Sequence, residues 1–209
     1  MKITDPAIEV FLLIGFLSLI PSILVMFTSF TRIVVVLSIL RQALGSPNIP
    51  PNSVIIGMSL FLTFYIMGPT IDNVTKEALI PYTKKEIAID EAFKRAEPSI
   101  KNFMLRQTRE KDLALFVKLS GERPSRPEEL PVRIIVPAFV ISELSTAFKI
   151  GFLLYLPFLV IDMVVSSILL SMGMMMLPPV LVSMPFKLLL FVMVDGWNLI
   201  AGSLVRSFQ

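Results

Sequence analysis

Four apolar runs, at about Ile8–Leu40, Ser53–Met67, Ile134–Leu170 and Val180–Val205, set the terms for this chain. A helix of about twenty apolar residues crosses a hydrocarbon core of about 30 Å, and the first run alone would make about 50 Å of helix. Charges nevertheless stand inside three of the four: Arg32, Glu143, Lys149, Asp162, Lys187 and Asp195. One charge at the centre of a lipid-facing helix costs on the order of 3 kcal/mol, so these runs need protein or water beside them. A soluble globular domain is excluded, and so is a set of plain lipid-facing rods. The pattern predicts an all-α, membrane-associated chain of kinked helical hairpins. With 55% hydrophobic residues and a mean hydropathy of +0.79, the composition agrees.

The 209 residues contain no cysteine and no histidine. Disulfides, thiolate or imidazole metal sites and Ser-His-Asp catalysis are therefore ruled out, and no catalytic residue, metal or cofactor is assigned. An intramembrane enzyme would have to rely on a carboxylate pair, for which Glu143 and Asp162 are widely separated. The formal charge of +3 is spread among interleaved acids and bases, which argues against a nucleic-acid partner. The first residues lack the basic region, short apolar region and small-residue cleavage site of a secretory signal.

In chain order, Thr4, Asp5 and Pro6 read as a helix start, and Pro21 is the expected kink of the first run. Arg32 either snorkels toward an interface or meets a buried partner. QALGSPNIPPN (Gln42–Asn52) reverses the chain, and the second run is expected to end at Gly68, Pro69 and Asp72. Residues 1–71 thus form an N-terminal helical hairpin. Residues 72–133 hold 13 of the 19 Lys and Arg and 11 of the 16 Asp and Glu, and make a water-exposed helical segment. Helical spacing at Ile89, Ala92, Phe93 and Ala96, then at Ile100, Phe103 and Met104, and finally at Leu113, Phe116 and Val117, predicts amphipathic helices broken at Pro98. Phe103 and Phe116 either close a small local core or contact another subunit. If the loop at Arg41 faces the cytoplasm, this segment faces outward. Residues 134–209 form a C-terminal hairpin interrupted by Pro137 and Pro157, with Asp162 or Glu143 expected to pair with Lys187.

Within that hairpin lies SMGMMMLPP (Ser171–Pro179). Met172, Met174, Met175 and Met176 are unbranched and re-pack easily, Gly173 loosens the backbone, and Pro178 and Pro179 stop a helix from running through. A turn inside an apolar environment follows, tolerated where protein surrounds it or it lines a cavity. The methionines either fill irregular gaps between helices or form a pore constriction.

Several strings carry a resemblance: MFTSFTRIVVVLSILRQALG (Met26–Gly45), PPN (Pro50–Asn52), LFLTFYIMGP (Leu60–Pro69), FMLRQTREKDLALF (Phe103–Phe116), ISELSTAFKIGF (Ile141–Phe152), GMMMLPP and MPFKLLLFVMVDGWNLIAGSL. From about Ile20 onward the chain resembles the FliP family of bacterial flagellar export proteins and its relatives in virulence type III secretion. LRQTRE and MVDGW lean toward the flagellar branch. The resemblance implies an export-gate subunit of the inner membrane and flagellar basal body. It implies a pentameric homo-oligomer joined to FliQ and FliR, near FlhB and FlhA, that passes unfolded export substrates. It also implies that Met174, Met175 and Met176 form a gasket around the closed pore. The competing functional reading is an ion- or proton-coupled transporter that uses the intramembrane charges Glu143, Lys149, Asp162, Lys187 and Asp195 as a relay. A non-conducting scaffold is a third.

Overall fold

The computed structural model describes residues 6–46, 48–122, 125–174 and 176–209, and among them all regular structure is helical. Helix α1 (Pro6–Phe27) leads into α2 (Phe30–Ala43), α3 (Asn52–Val74), a π-helical turn (Thr75–Leu79) and α4 (Ile80–Thr83). Next come α5 (Ile89–Gln107), α6 (Glu110–Ser120), α7 (Val132–Ser171), α8 (Pro179–Met193) and α9 (Gly196–Arg206).

The spine is α7, whose 40 residues make about 60 Å of helix. The hub is α2, whose Ile33, Val36, Leu37 and Leu40 are buried with Ala147 and Phe158 of α7, Ile55 of α3, Phe191 of α8, and Ile200 and Leu204 of α9. Burying each such large side chain stabilises by about 1.5–3 kcal/mol, so α2 is where the remote runs are held together. Close approach is built in at the α2–α7 crossing. A Cβ on Gly151 would lie 2.4 Å from Ile39 Cδ1. A second core joins Met104 and Leu130 to Ile134, Ile135 and Phe139 of α7, with Phe103 and Phe116 packed on it. The amphipathic α5 and α6 therefore dock on the first half of the spine.

Several breaks fall elsewhere than the prolines suggest. The chain bends by 78° between α1 and α2 at Thr28–Ser29, while Pro21 sits inside α1. At the bend, side-chain oxygens take over from the helix ladder. Thr28 Oγ1 donates to the Leu24 carbonyl (2.5 Å) and accepts from the Phe30 amide (3.2 Å), and Thr31 Oγ1 donates to the Val25 carbonyl (2.6 Å). The second run does not end at Gly68 and Pro69, because helix continues from Asn52 to Thr83. Pro98 lies within α5, and the break comes ten residues later, where Thr108 turns extended. Its hydroxyl donates to the Met104 carbonyl (2.7 Å), and the next amide, of Arg109, donates to Ser142 Oγ (3.1 Å). Pro137 and Pro157 do not interrupt α7 either. A proline inside a helix costs about 3 kcal/mol, which packing against α2, α5, α6 and α8 along the spine offsets. Conversely, the last run is not one helix. Asp195, at φ 50°, divides α8 from α9, which turn 66° from one another.

By length and composition Asn52–Thr83 and Val132–Ser171 can each cross a membrane, and the two bent pairs raise that to four if each is one span. Phe61, Phe64, Tyr65, Phe152 and Leu153 lie exposed on these two helices, an apolar surface that lipid or other protein must cover.

Candidate functional site

The methionine turn sits at the tip of the α7–α8 hairpin, and its geometry follows from the residues around it. Gly173 takes φ 75°, the left-handed conformation that ends helices most cheaply in glycine. Its amide donates to the Leu170 carbonyl (3.0 Å), and the Met174 amide reaches back to the Leu169 carbonyl (2.9 Å), the paired closure of a Schellman motif. Pro178 caps α8, and Pro179 occupies its first position, where no amide hydrogen is needed. At and between these two stops the side chains are turned outward: Met172 is 63% exposed, Met174 44% and Met176 98%. Met175 lies outside the described residues. The described methionines of the turn are therefore not gap fillers inside the protomer.

Behind the tip, the hairpin is clamped. Lys187 Nζ donates to Asp162 Oδ2 (2.7 Å), and Ser183 Oγ donates to Asp162 Oδ1 (2.5 Å). Of the two carboxylates open to Lys187 on sequence grounds, the structure pairs it with Asp162. Lys187 is 1% exposed, and its ammonium lies beside Gly45, just past the C-terminus of α2. The negative end of that helix favours a cation there. At about 1.5 Å per residue the clamp stands about 13–16 Å behind the turn, which makes a stiff stalk carrying a soft tip.

Glu143 belongs to a different cluster. Arg32 is 2% exposed and does not snorkel. Its Nε and Nη2 fork onto the Glu143 carboxylate, Nη2 also donates to Gln107 Oε1 (3.1 Å), and Nη1 donates to the Ser207 carbonyl (2.7 Å) and Oγ (3.1 Å). Its guanidinium lies 3.7 Å from the centre of the Phe208 ring, which also stacks on Phe103. One side chain thus ties α2, α5, α7 and the C-terminal residues together. Phe103 and Phe116 are half-buried around Phe139 in the protomer. Of the other charges, Lys149 is exposed on α7, and Asp195 is exposed and accepts a hydrogen bond from Asn198 Nδ2 (3.2 Å).

Glu143 and Asp162 stand about 28 Å apart along α7, each closed in its own ion pair, so these charges do not form a continuous chain for a proton. Among the described residues no group of acidic side chains is arranged to hold a metal ion.

A third polar cluster escaped sequence reasoning. Arg109 Nε donates to Asp112 Oδ2 (2.6 Å), Arg109 Nη1 to Ser145 Oγ (2.6 Å), and Ser142 Oγ to Asp112 Oδ2 (2.7 Å), fixing the start of α6 to α7. Gln107, Ser183 and Ser207 were missed likewise. The available signal was Ser142, Glu143 and Ser145 together inside an apolar run, which marks a helix face that meets protein. Burial works against the charge on Asp112, but the Ser142 hydroxyl and the Arg109 guanidinium outweigh it and hold the carboxyl below its ordinary value of 3.8. A carboxyl depressed in the folded state contributes stability that is fully present above its unfolded pKa and is lost as the pH falls through the folded one. Melting of the purified protein should therefore lose stability below about pH 4, and Asp112→Asn should flatten that part of the profile. An unchanged acid limb in the variant would contradict the assignment.

Comparison with known sequences covers nearly the whole chain. A profile described as the FliP family matches residues 13–204. The flagellar biosynthetic protein FliP of Aquifex aeolicus is 56% identical over 206 residues, covering 97% of this chain and 86% of that one. The protein of that name from Bacillus subtilis is 54% identical over 202 residues, covering 96% and 91%. The one from Pectobacterium carotovorum is 52% identical over 204 residues, covering 97% and 79%.

Proposed function

The chain belongs to the FliP family, and from that premise we propose that several copies of it enclose a conduit in the bacterial inner membrane, at the flagellar basal body, through which unfolded flagellar proteins are exported. The copies form a ring, pentameric by resemblance, together with FliQ and FliR and next to FlhB and FlhA. Hairpin tips converge on the axis, and Met174, Met175 and Met176 close it. The segment around α5 and α6 faces the periplasm.

The observation that carries this reading is Met176, 98% exposed at the end of a clamped hairpin. Leaving such a side chain in water forgoes about 1.5–3 kcal/mol of burial, which a ring of identical tips would recover. Flexible thioethers suit a seal that must fit itself and then a passing polypeptide of varying shape, and an apolar constriction resists ions by dewetting. No residue performs catalysis in this scheme. The coupled-transporter reading receives no support from charges locked in two separate pairs.

Replacing Met174, Met175 and Met176 together with alanine shortens the seal without touching the clamp. Ion leakage across membranes containing the assembled complex is expected to rise about tenfold or more while the complex still forms, since dewetting depends steeply on the width of the constriction. Unchanged leakage with normal export would remove the gasket.

A further inference from the structure

Lys149 in the middle of α7 and Asp195 at the α8–α9 corner stand on the apolar surface with no ion-pair partner among the described residues. Both are exposed, and each has apolar neighbours on the surface, Phe148 and Phe152 beside the lysine, Met193 and Val194 beside the aspartate. An isolated charge on such a face is costly unless something of opposite sign covers it.

The Asp162–Lys187 contact fixes the register of the hairpin. Measured from it, away from the methionine turn, Lys149 lies about 20 Å along α7 and Asp195 about 12 Å along α8. The two opposite charges therefore stand within about 8 Å of the same height, a gap that the flexible four-carbon lysine stem spans in large part. They stand on different sides of the hairpin. Gly151 lies against Ile39 of α2 and Asp162 faces α8. On a helix turning about 100° per residue, Lys149 points about 160° from the first and about 140° from the second, outward from both neighbours. The aspartate lies beyond the end of α8 and lines a cavity with Leu62 and Tyr65 of α3, which packs on α2, the helix that Lys149 points away from.

Charges of opposite sign at similar height on different sides of a protomer do not meet within it, and they suit a head-to-tail contact between identical copies, which joins two different patches. We infer that Lys149 of one copy pairs with Asp195 of the next, so that the outer face of α7 seats the neighbour's α8–α9 corner. A lipid phosphate would answer the lysine and leave the aspartate unmatched, whereas a second copy answers both. This contact rests on the ring proposed above.

The test uses the complex purified with its family partners, and reads ring yield by native mass. Lys149→Gln and Asp195→Asn are the variants, asparagine being at home at φ 50°. Each should lower the yield about five- to tenfold, and the double variant should be no worse than the poorer single one. The chain has no cysteine of its own, so copies carrying Lys149→Cys mixed with copies carrying Val194→Cys should give disulfide-linked dimers within the ring. An intact ring with additive losses, or with no such dimer, overturns the contact and leaves the ring standing. Loss in the lysine variant with a silent Asp195→Asn points to lipid phosphate and also overturns it. A wild-type complex containing a single copy removes the ring reading and this contact with it.

Discussion

Arg32→Ala is expected to cost the folded protein about 3–5 kcal/mol, a large share of the roughly 5–15 kcal/mol margin typical of folded proteins. All five N–H donors of the guanidinium are used, and its removal strands Glu143, which is 0% exposed, without a counter-charge. It also frees the C-terminal residues held through Ser207 and loosens α5 at Gln107. Denaturant or thermal unfolding in detergent measures the loss. Arg32→Lys should recover only part of it, because an ammonium cannot fork onto a carboxylate or lie flat on Phe208. The Arg32→Ala/Glu143→Ala pair should cost less than the sum of its members, since both partners leave together. Additive losses would mean that the pair is not the unit described here.

Lys187→Ala comes next, at about 3 kcal/mol, because Asp162 keeps only Ser183 as a partner and remains largely enclosed. Its signature should be local. Amide hydrogen exchange ought to accelerate in the turn and in the first half of α8 while α2 stays protected. Replacing the pair together, as Asp162→Asn with Lys187→Met, removes both charges at similar volume and should fall close to the wild type in stability. If the double variant also exports normally, the pair is a strut; if it folds but blocks ion movement, the transporter reading returns.

The sequence made the helical class legible because runs so long and so apolar have few other solutions. It also located the methionine turn, since glycine followed by two prolines leaves a chain little choice between two helices. Its failures share one cause. Pro69, Pro98, Pro137 and Pro157 look like breakers locally, but each lies inside a helix, and the tertiary contacts that carry α7 across its prolines are absent from a local reading. The actual bends occur where side-chain oxygens compete for the backbone, at Thr28 and Thr108, or where a left-handed residue intervenes, at Asp195. Ion-pair partners were half legible: charges in apolar runs announce that they need partners, while the choice of Asp162 for Lys187 and of Arg32 for Glu143 depends on register across 25 and 111 residues.

The central claim is that hairpin tips from neighbouring copies meet on one axis, and copy-to-copy distances measure it. A spin label at Met176→Cys in the assembled complex should give the shortest distances in the protein, well below those from a label at Phe61→Cys on the exposed face of α3. Distances at Met176 equal to or longer than those at Phe61 would put the thioethers on the outside and contradict the account.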